Sequence, residues 1–192
     1  MRQFPFALAV LSIACLTALP AAVRADAYQL DPVHSTTAFR IHHFGAGYVL
    51  GIIPGVTGTI NYDKANPGQD SFVLSVDLSK LLTGNQQRDN DLKGPDWFDV
   101  KEFPTMDFQS TAVKQTGDDT YGLTGDLTIH GVKRTLTVPL TMTGIGRGMK
   151  GDTRIGFESE FTINRNDFGM SNLPGAVGND VRINVELEAI QQ

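Results

Sequence analysis

Two polar residues continue otherwise apolar strand patterns and could bind the polar part of a ligand. His43 follows Phe39 and Ile41 at alternate positions, and Arg165 ends another alternating run. Alternate positions of a strand share one face, so each polar side chain extends a face that is otherwise apolar. Burying a polar group costs free energy unless it is paired. The pattern leaves two interpretations open: the side chains emerge into water at strand ends, or they contact a ligand's head group at the mouth of an apolar cavity.

The other histidines, and the serine beside one of them, form no familiar catalytic or metal-binding pattern. His42 and His43 are adjacent, so in a strand they point to opposite faces and cannot chelate one ion together. Ser35 follows His34, but the chain has no GxSxG nucleophile elbow. It also lacks HxH, HxxxH and HExxH spacings, and no GxGxxG motif opens a predicted helix. The sequence therefore predicts no catalytic residue, no metal site and no cofactor.

Alternation of apolar and polar residues recurs along the chain and predicts about eight strands. Nearly every strand has one polar face, which is typical of antiparallel sheets. Many strands run to about ten residues, longer than the five or six that are usual in sandwiches. Long, amphipathic strands in even number favour a closed barrel, which also leaves no exposed edges. The sequence therefore predicts an all-β fold, an eight-stranded antiparallel barrel.

Residues 83–104 show no alternation and predict a short helical insert. Asn85 can cap a helix over residues 86–93, and Pro95 suits the first turn of another helix. The insert carries Trp97 and Phe98, two of the bulkiest apolar side chains in the chain. We expect this segment to cover one end of the barrel with its apolar surface.

The N-terminus has the pattern of a secretory signal peptide. Arg2 precedes an almost wholly apolar stretch, residues 4–22, and small side chains follow at Val23 and Ala25. This predicts cleavage after Ala25, giving a signal peptide over residues 1–25 and a single domain over residues 26–192. A membrane anchor is the alternative, but the stretch is short for a membrane span. The only cysteine, Cys15, leaves with the signal, so the predicted mature domain has no disulfide.

The charge of the predicted mature domain limits its partners. The chain has a formal net charge of −5, and loss of Arg2 and Arg24 with the signal makes it about −7. The acidic residues are spread along the chain, which argues against nucleic acid and anionic membrane as partners. We also expect no stable membrane insertion of the mature chain, and the sequence leaves a homodimer open.

Seven motifs, in order along the mature chain, resemble those of the YceI-like family. They are DPVHS (31–35), FRIHHFG (39–45), RDNDLKGPDWFDV (88–100), EFPTMDFQST (102–111), GDLTIHGVKRTLTVPL (125–140), INRNDFGM (163–170) and VRINVELEAIQQ (181–192). The resemblance implies an extended lipocalin-like barrel in the bacterial periplasm that holds a polyisoprenoid chain or a similar amphiphile, with no settled enzymatic activity. Two departures are visible: Asp91 stands where the family commonly has a histidine, and residues 51–58 lack an aromatic that is usual there.

The leading interpretation is a periplasmic carrier for a polyisoprenoid, an isoprenoid quinone or another long-chain lipid, held in an elongated apolar cavity. An enzyme that acts on an apolar substrate, with His43 and Arg165 as its polar groups, is the first alternative. A barrel with a filled core that works through its surface is the second. The predicted ligand-binding side chains are Phe39, Ile41, His43, Phe72, Leu74, Trp97, Phe98, Phe108, Leu127, Leu136, Val138, Phe157, Phe161, Arg165, Ile183 and Val185.

Overall fold

The computed structural model describes residues 25–192, so the predicted signal peptide lies outside the described residues except for Ala25. The described chain is mostly antiparallel sheet. Its strands are β1 (Asp26–Leu30), β2 (Thr36–His43), β3 (Gly47–Pro54), β4 (Thr57–Tyr62), β5 (Ser71–Asp77), β6 (Thr105–Gln115), β7 (Thr120–Ile129), β8 (Val132–Arg147), β9 (Thr153–Asn164) and β10 (Val177–Gln191). The helices are α1 (Gln86–Lys93) and the 3₁₀ turns Pro67–Gln69, Leu78–Lys80 and Arg165–Phe168.

Eight of the strands form a closed ring. Their order is β1-β4-β5-β6-β7-β8-β9-β10, and β10 pairs back onto β1. The remaining two strands, β2 and β3, form a hairpin that extends the wall at one end. The long strand β10 makes this possible, because its C-terminal end pairs with β1 while its N-terminal part pairs with β2. The structure therefore confirms the predicted all-β, eight-stranded antiparallel barrel.

The two strands that the sequence did not predict are β1 and β3. Strand β1 has only five residues, too few to establish a period. Strand β3 is apolar on both faces, because Tyr48, Leu50 and Ile52 are exposed while the alternate positions face inward. A strand without a polar face gives no alternation, so the pattern that revealed the other strands was absent here.

Ser35 fixes the corner between β1 and β2. Its side chain is fully buried; the hydroxyl donates to the Glu188 carbonyl over 3.1 Å and accepts from the Glu188 amide over 3.0 Å. The Ser35 carbonyl in turn accepts from the amides of Gly55 and Val56, at the break between β3 and β4. One residue thus bends the wall where the hairpin leaves the ring. With both functions of its hydroxyl engaged by backbone, Ser35 is not available as a nucleophile.

Aromatic side chains fill the end of the barrel that lies away from the β2–β3 hairpin. The Phe72 and Phe157 rings meet edge to face with their centroids 5.2 Å apart, and Tyr62 packs on Phe157 at 5.6 Å. The hydroxyls of Tyr62 and Tyr121 are hydrogen-bonded to each other over 3.0 Å. Burial, together with Tyr121, raises the pKa of Tyr62. This end is therefore a solid core.

The insert between β5 and β6 lies over the other end, as the sequence predicts. The Asn85 side chain accepts a hydrogen bond from the Arg88 amide over 3.0 Å and so begins α1. Leu92 and Phe98 pack against the hydrophobic core, and Trp97 is partly buried beside them. No helix among residues 25–192 is long and apolar enough to cross a bilayer.

Candidate functional site

A largely apolar cavity of about 340 Å³ lies between the insert, the β2–β3 hairpin and the segment that joins β9 to β10. Its volume falls in the range of small-molecule sites, roughly 300–1,000 Å³. Seven of the predicted ligand-binding residues line it: Phe39, Ile41, His43, Trp97, Phe98, Arg165 and Ile183. The apolar lining residues that were not predicted from the sequence are Val49, Ile53, Leu92, Met106, Ile129, Ile163, Met170, Leu173, Val177 and Val181.

A smaller apolar cavity of about 60 Å³ continues into the ring of strands. Thr37, Met106 and Ile183 line both cavities, so the two spaces are neighbours along the barrel. Six further predicted residues line only the smaller one: Leu74, Phe108, Leu127, Val138, Phe161 and Val185. The interior therefore has a wide outer chamber and a narrow inner one, which ends at the aromatic core.

Three of the predicted ligand-binding residues line neither of these cavities. Phe72 and Phe157 belong to the aromatic core at the far end of the barrel. Leu136 is partly buried and packs against both core clusters. All three point inward, as the alternation predicts, but alternation gives only the face of a strand and not the depth along the barrel. Direct contact with a ligand stays a prediction for these three and for the thirteen residues that line the cavities.

Two glycines in the wall make room for aromatic rings. A Cβ atom on Gly51 would overlap the ring of Phe39, and one on Gly125 would overlap the ring of Phe108. Phe39 is the cross-strand partner of Gly51, and both phenylalanines line a cavity. Phe108 lies diagonally from Gly125, on the neighbouring strand. The rings therefore lie flat against the wall, which keeps the interior open.

Arg165 is buried in the wall of the larger cavity, with only 2 % of its surface exposed. Its guanidinium donates to the carbonyls of Gly178 (2.8 Å), Met170 (2.6 Å) and Val177 (3.1 Å). The guanidinium carbon also lies 5.5 Å from the centre of the Trp97 ring. Burial lowers the pKa of Arg165, and in the described chain no carboxylate pairs with it. An arginine stays protonated in proteins, so the cavity wall carries a positive charge that only neutral acceptors balance.

His43 lies at the opening of the same cavity. Its side chain is exposed, and its ring packs edge to face against Phe44 with centroids 4.5 Å apart. His43 thus lines the cavity and also reaches water at its opening, whereas Arg165 is buried in the wall; contact of either side chain with a head group stays a prediction. Arg88 and Asp91 line the cavity from α1, and neither was predicted to do so. Asp91 is one of the two departures from the YceI-like motifs that the sequence shows.

Three side chains of metal-binding type meet outside the cavity. The three residues are Asp31, His34 and Glu188, and each places one potential ligand atom within 4.8 Å of those of the other two. The guanidinium of Arg154 pairs with Asp31 at 2.9 Å and also with Glu188, so both carboxylates already share a cationic partner. The His34 ring pairs with Asp31 at 2.8 Å, and this hydrogen bond contributes most to lowering the pKa of that carboxyl. The cluster ties the β1–β2 corner to β9 and β10.

Relatives of similar length match the whole chain. A UPF0312 protein of Pseudomonas putida strain F1 is 33% identical over 194 residues, covering all of both chains. A UPF0312 protein of Pseudomonas fluorescens strain SBW25 is 34% identical and covers 96% of this chain and 97% of its own.

Solved structures share the barrel. Burkholderia cenocepacia BcnA matches with a TM-score of 0.75 and 25% identity, over 83% of this chain and 98% of its own. The Campylobacter jejuni YCEI protein matches with a TM-score of 0.68 and 28% identity, over 75% and 85%. A polyisoprenoid binding domain from Saccharophagus degradans has the same fold, with a TM-score of 0.70 and 17% identity over 87% and 99%. The model of the YceI-like domain matches residues 28–189, and the chain therefore belongs to this family.

Proposed function

We propose that this protein binds a polyisoprenoid, an isoprenoid quinone or another long-chain amphiphile in its two neighbouring cavities and carries it through the periplasm. The observation that carries the proposal is the apolar interior: a wide chamber opens at one end, and a narrow chamber continues from it into the barrel. The Saccharophagus degradans domain, which has the same fold, is named for polyisoprenoid binding. The predicted signal peptide supports export.

The physical need for such a carrier is large. Transfer of an apolar chain from water is worth about 0.8 kcal/mol per methylene group, so a roughly forty-carbon isoprenoid would cost on the order of 30 kcal/mol fully exposed. A molecule of this kind crosses an aqueous compartment only when its chain is covered. Side chains such as Phe161, Val138 and Val185 offer an apolar wall for that chain.

The polar groups set the direction in which an amphiphile would lie. The tail would enter the narrow chamber, and the head would stay near Arg165 and the opening at His43. Arg165 has five N–H donors, and the three hydrogen bonds to backbone carbonyls leave others free for an oxygen of a head group. A head group bearing oxygen atoms is therefore the best match for this wall.

The enzyme alternative has less support. The family and the polyisoprenoid binding domain favour a binding protein over an enzyme. Arg165 donates to three backbone carbonyls, which is an arrangement that holds a loop. His43 packs against Phe44, and neither interaction pairs an acid with a base.

The proposal is tested by displacement of a fluorescent lipid with a polyprenol. The informative variant is Phe161→Asp, which places a carboxylate in the narrow chamber, where it must lose its hydration. Its matched control is Thr162→Asp, because Thr162 is the next residue of β9 and is exposed on the outer face. We expect polyprenol to displace the probe from wild type and from the control, and binding to fall at least about tenfold in Phe161→Asp.

A melting curve for each variant separates loss of binding from loss of the fold. If Phe161→Asp is unfolded, Phe161→Gln serves in its place, since it is polar but uncharged. Polyprenol that fails to displace the probe from wild type, or that binds folded Phe161→Asp as well as the control, would show that the interior is not the lipid site.

A further inference from the structure

Exposed apolar side chains lie beside the opening of the larger cavity and on the outer face of the adjoining β2–β3 hairpin. Phe44 is 69% exposed, Tyr48 58% and Leu173 51%. His43 and Leu173 line the cavity and are also exposed, so the cavity reaches the surface beside them. We call Phe44, Tyr48 and Leu173 the rim.

The backbone holds two rim residues in a conformation that suits neither of them. Phe44 has φ +49° and Leu173 has φ +51°, in the left-handed region that bulky side chains rarely adopt. Phe44 and Gly45 are the central residues of the turn between β2 and β3, which closes through a 3.0 Å hydrogen bond from the Ala46 amide to the His43 carbonyl. A turn with positive φ at both central residues favours asparagine and glycine. Local backbone preference and exposure to water therefore both oppose a phenylalanine at this position.

Hydrogen bonds join the hairpin and the loop of the rim into one surface. The Phe44 amide donates to the Ala176 carbonyl over 2.7 Å. The amides of Ala176 and Val177 both donate to the Leu173 carbonyl, over 3.2 and 3.1 Å. The two bulky side chains are thus presented outward together, and a site that departs from local preference in this way is typical of a functional surface.

The charge near the rim differs from that of the whole chain. The chain has 21 acidic residues, yet residues 32–62 and 168–179 contain none. The guanidinium of Arg40 lies 4.4 Å from the centre of the Tyr48 ring, and the ring of His42 lies 4.8 Å from it. On the α1 side of the opening, Arg88 and Asp91 cancel in formal charge. The diffuse negative charge that argued against a membrane partner is therefore absent from the hairpin and loop that carry the rim.

We propose that the rim docks on the surface of a lipid bilayer, so that an amphiphile passes between bilayer and cavity without crossing water. This inference rests on the proposed function. A bilayer fits the rim because apolar residues, an aromatic hydroxyl and a cation are the groups that settle at the boundary of head groups and acyl chains. The rim is continuous with the cavity that would receive the lipid. Three side chains give weak, reversible binding, which suits a carrier that must leave again.

The test is co-sedimentation of the purified protein with vesicles of phosphatidylcholine and with vesicles of phosphatidylethanolamine and phosphatidylglycerol. The variants are Phe44→Asn, Tyr48→Thr and the double substitution, none of which alters a residue that lines either cavity. The matched control is Met149→Asn, because Met149 is fully exposed in the turn between β8 and β9, at the opposite end of the barrel.

We expect the double variant to bind vesicles at least about tenfold more weakly than wild type, while Met149→Asn binds normally. Phe44→Asn should melt no lower than wild type, because asparagine tolerates positive φ. Displacement of a fluorescent lipid by detergent-dispersed polyprenol should be unchanged in the rim variants, whereas polyprenol transfer between vesicles should slow.

Two results would overturn the docking proposal. One is equal vesicle binding by wild type and the double variant. The other is that wild type binds no vesicles but forms a dimer, and that the double variant is monomeric. The rim would then bind a second copy of the chain. A third result would separate the two proposals: the protein binds vesicles through the rim, but polyprenol displaces no fluorescent lipid from it. This result would support the docking surface and refute the proposed cargo.

Discussion

Replacement of Arg165 by methionine tests whether the buried guanidinium holds the wall of the cavity. The side chain is 2 % exposed and donates to three backbone carbonyls, those of Met170, Val177 and Gly178. Methionine fills much of the same space but donates no hydrogen bond, so three inward carbonyls lose their partner. A hydrogen bond to a charged group is worth about 1.5–3 kcal/mol. The guanidinium also costs several kcal/mol to bury, and that cost disappears in the variant.

The expected net loss for Arg165→Met is about 3–5 kcal/mol in the free energy of unfolding, because three buried carbonyls left without a donor cost about 1–3 kcal/mol each and the recovered desolvation cost offsets only part of this. Urea denaturation of the ligand-free protein measures it, with an unchanged slope showing that the fold is retained. Arg182→Met is the control, because Arg182 pairs with Glu160 on the exposed surface, where such a pair is worth less than about 1 kcal/mol. Equal stability of Arg165→Met and Arg182→Met would refute this view of the wall.

Two further predictions concern pH and the shape of the cavity. Burial raises the pKa of Asp70 to about 6, so between about pH 4 and pH 6 the folded protein keeps a proton that the unfolded chain releases, and stability falls as the pH rises through that range. The Asp70→Asn variant keeps an acceptor for the Asp63 amide, 2.7 Å away. Above pH 6 it should be more stable than wild type by at most about 3 kcal/mol. Urea denaturation at pH 4 and pH 7 would contradict this if the difference in stability between variant and wild type did not grow with pH. Gly51→Val should drive the Phe39 ring into the cavity, destabilise the fold by about 1–3 kcal/mol and weaken lipid binding. Gly146 has open space beside it, so Gly146→Val should change neither stability nor lipid binding. Unchanged lipid binding by folded Gly51→Val would contradict the place of Phe39 and Gly51 in the cavity wall.

Alternation was enough to predict the barrel and most of its inner face. Phe39 and Ile41 on β2, and Ile183 and Val185 on β10, line the cavities because a strand has a period of two residues. The helix over residues 86–93 followed from Asn85, whose side chain caps it. These features depend on neighbours within a few residues, which is the range that a sequence pattern describes.

Features set by distant contacts were not predictable in the same way. The burial of Arg165 depends on carbonyls contributed by the loop and by the start of β10. The depth of Phe72 and Phe157 depends on how the strands stagger around the ring. The rim residue Leu173 lies in a segment without regular structure, where no periodicity marks it. Each of these needs the register of several strands before it can be stated.

Native mass spectrometry of the protein purified from its own host, followed by organic extraction, tests the central claim most directly. We expect a fraction of the protein to carry added mass that solvent extraction removes, and the extract to contain a long-chain amphiphile with an oxygen-bearing head group. Phe161→Asp should carry none of this mass, whereas Thr162→Asp should carry it like wild type. Host-purified wild-type protein that carries no such molecule and takes up no added polyprenol would contradict the account.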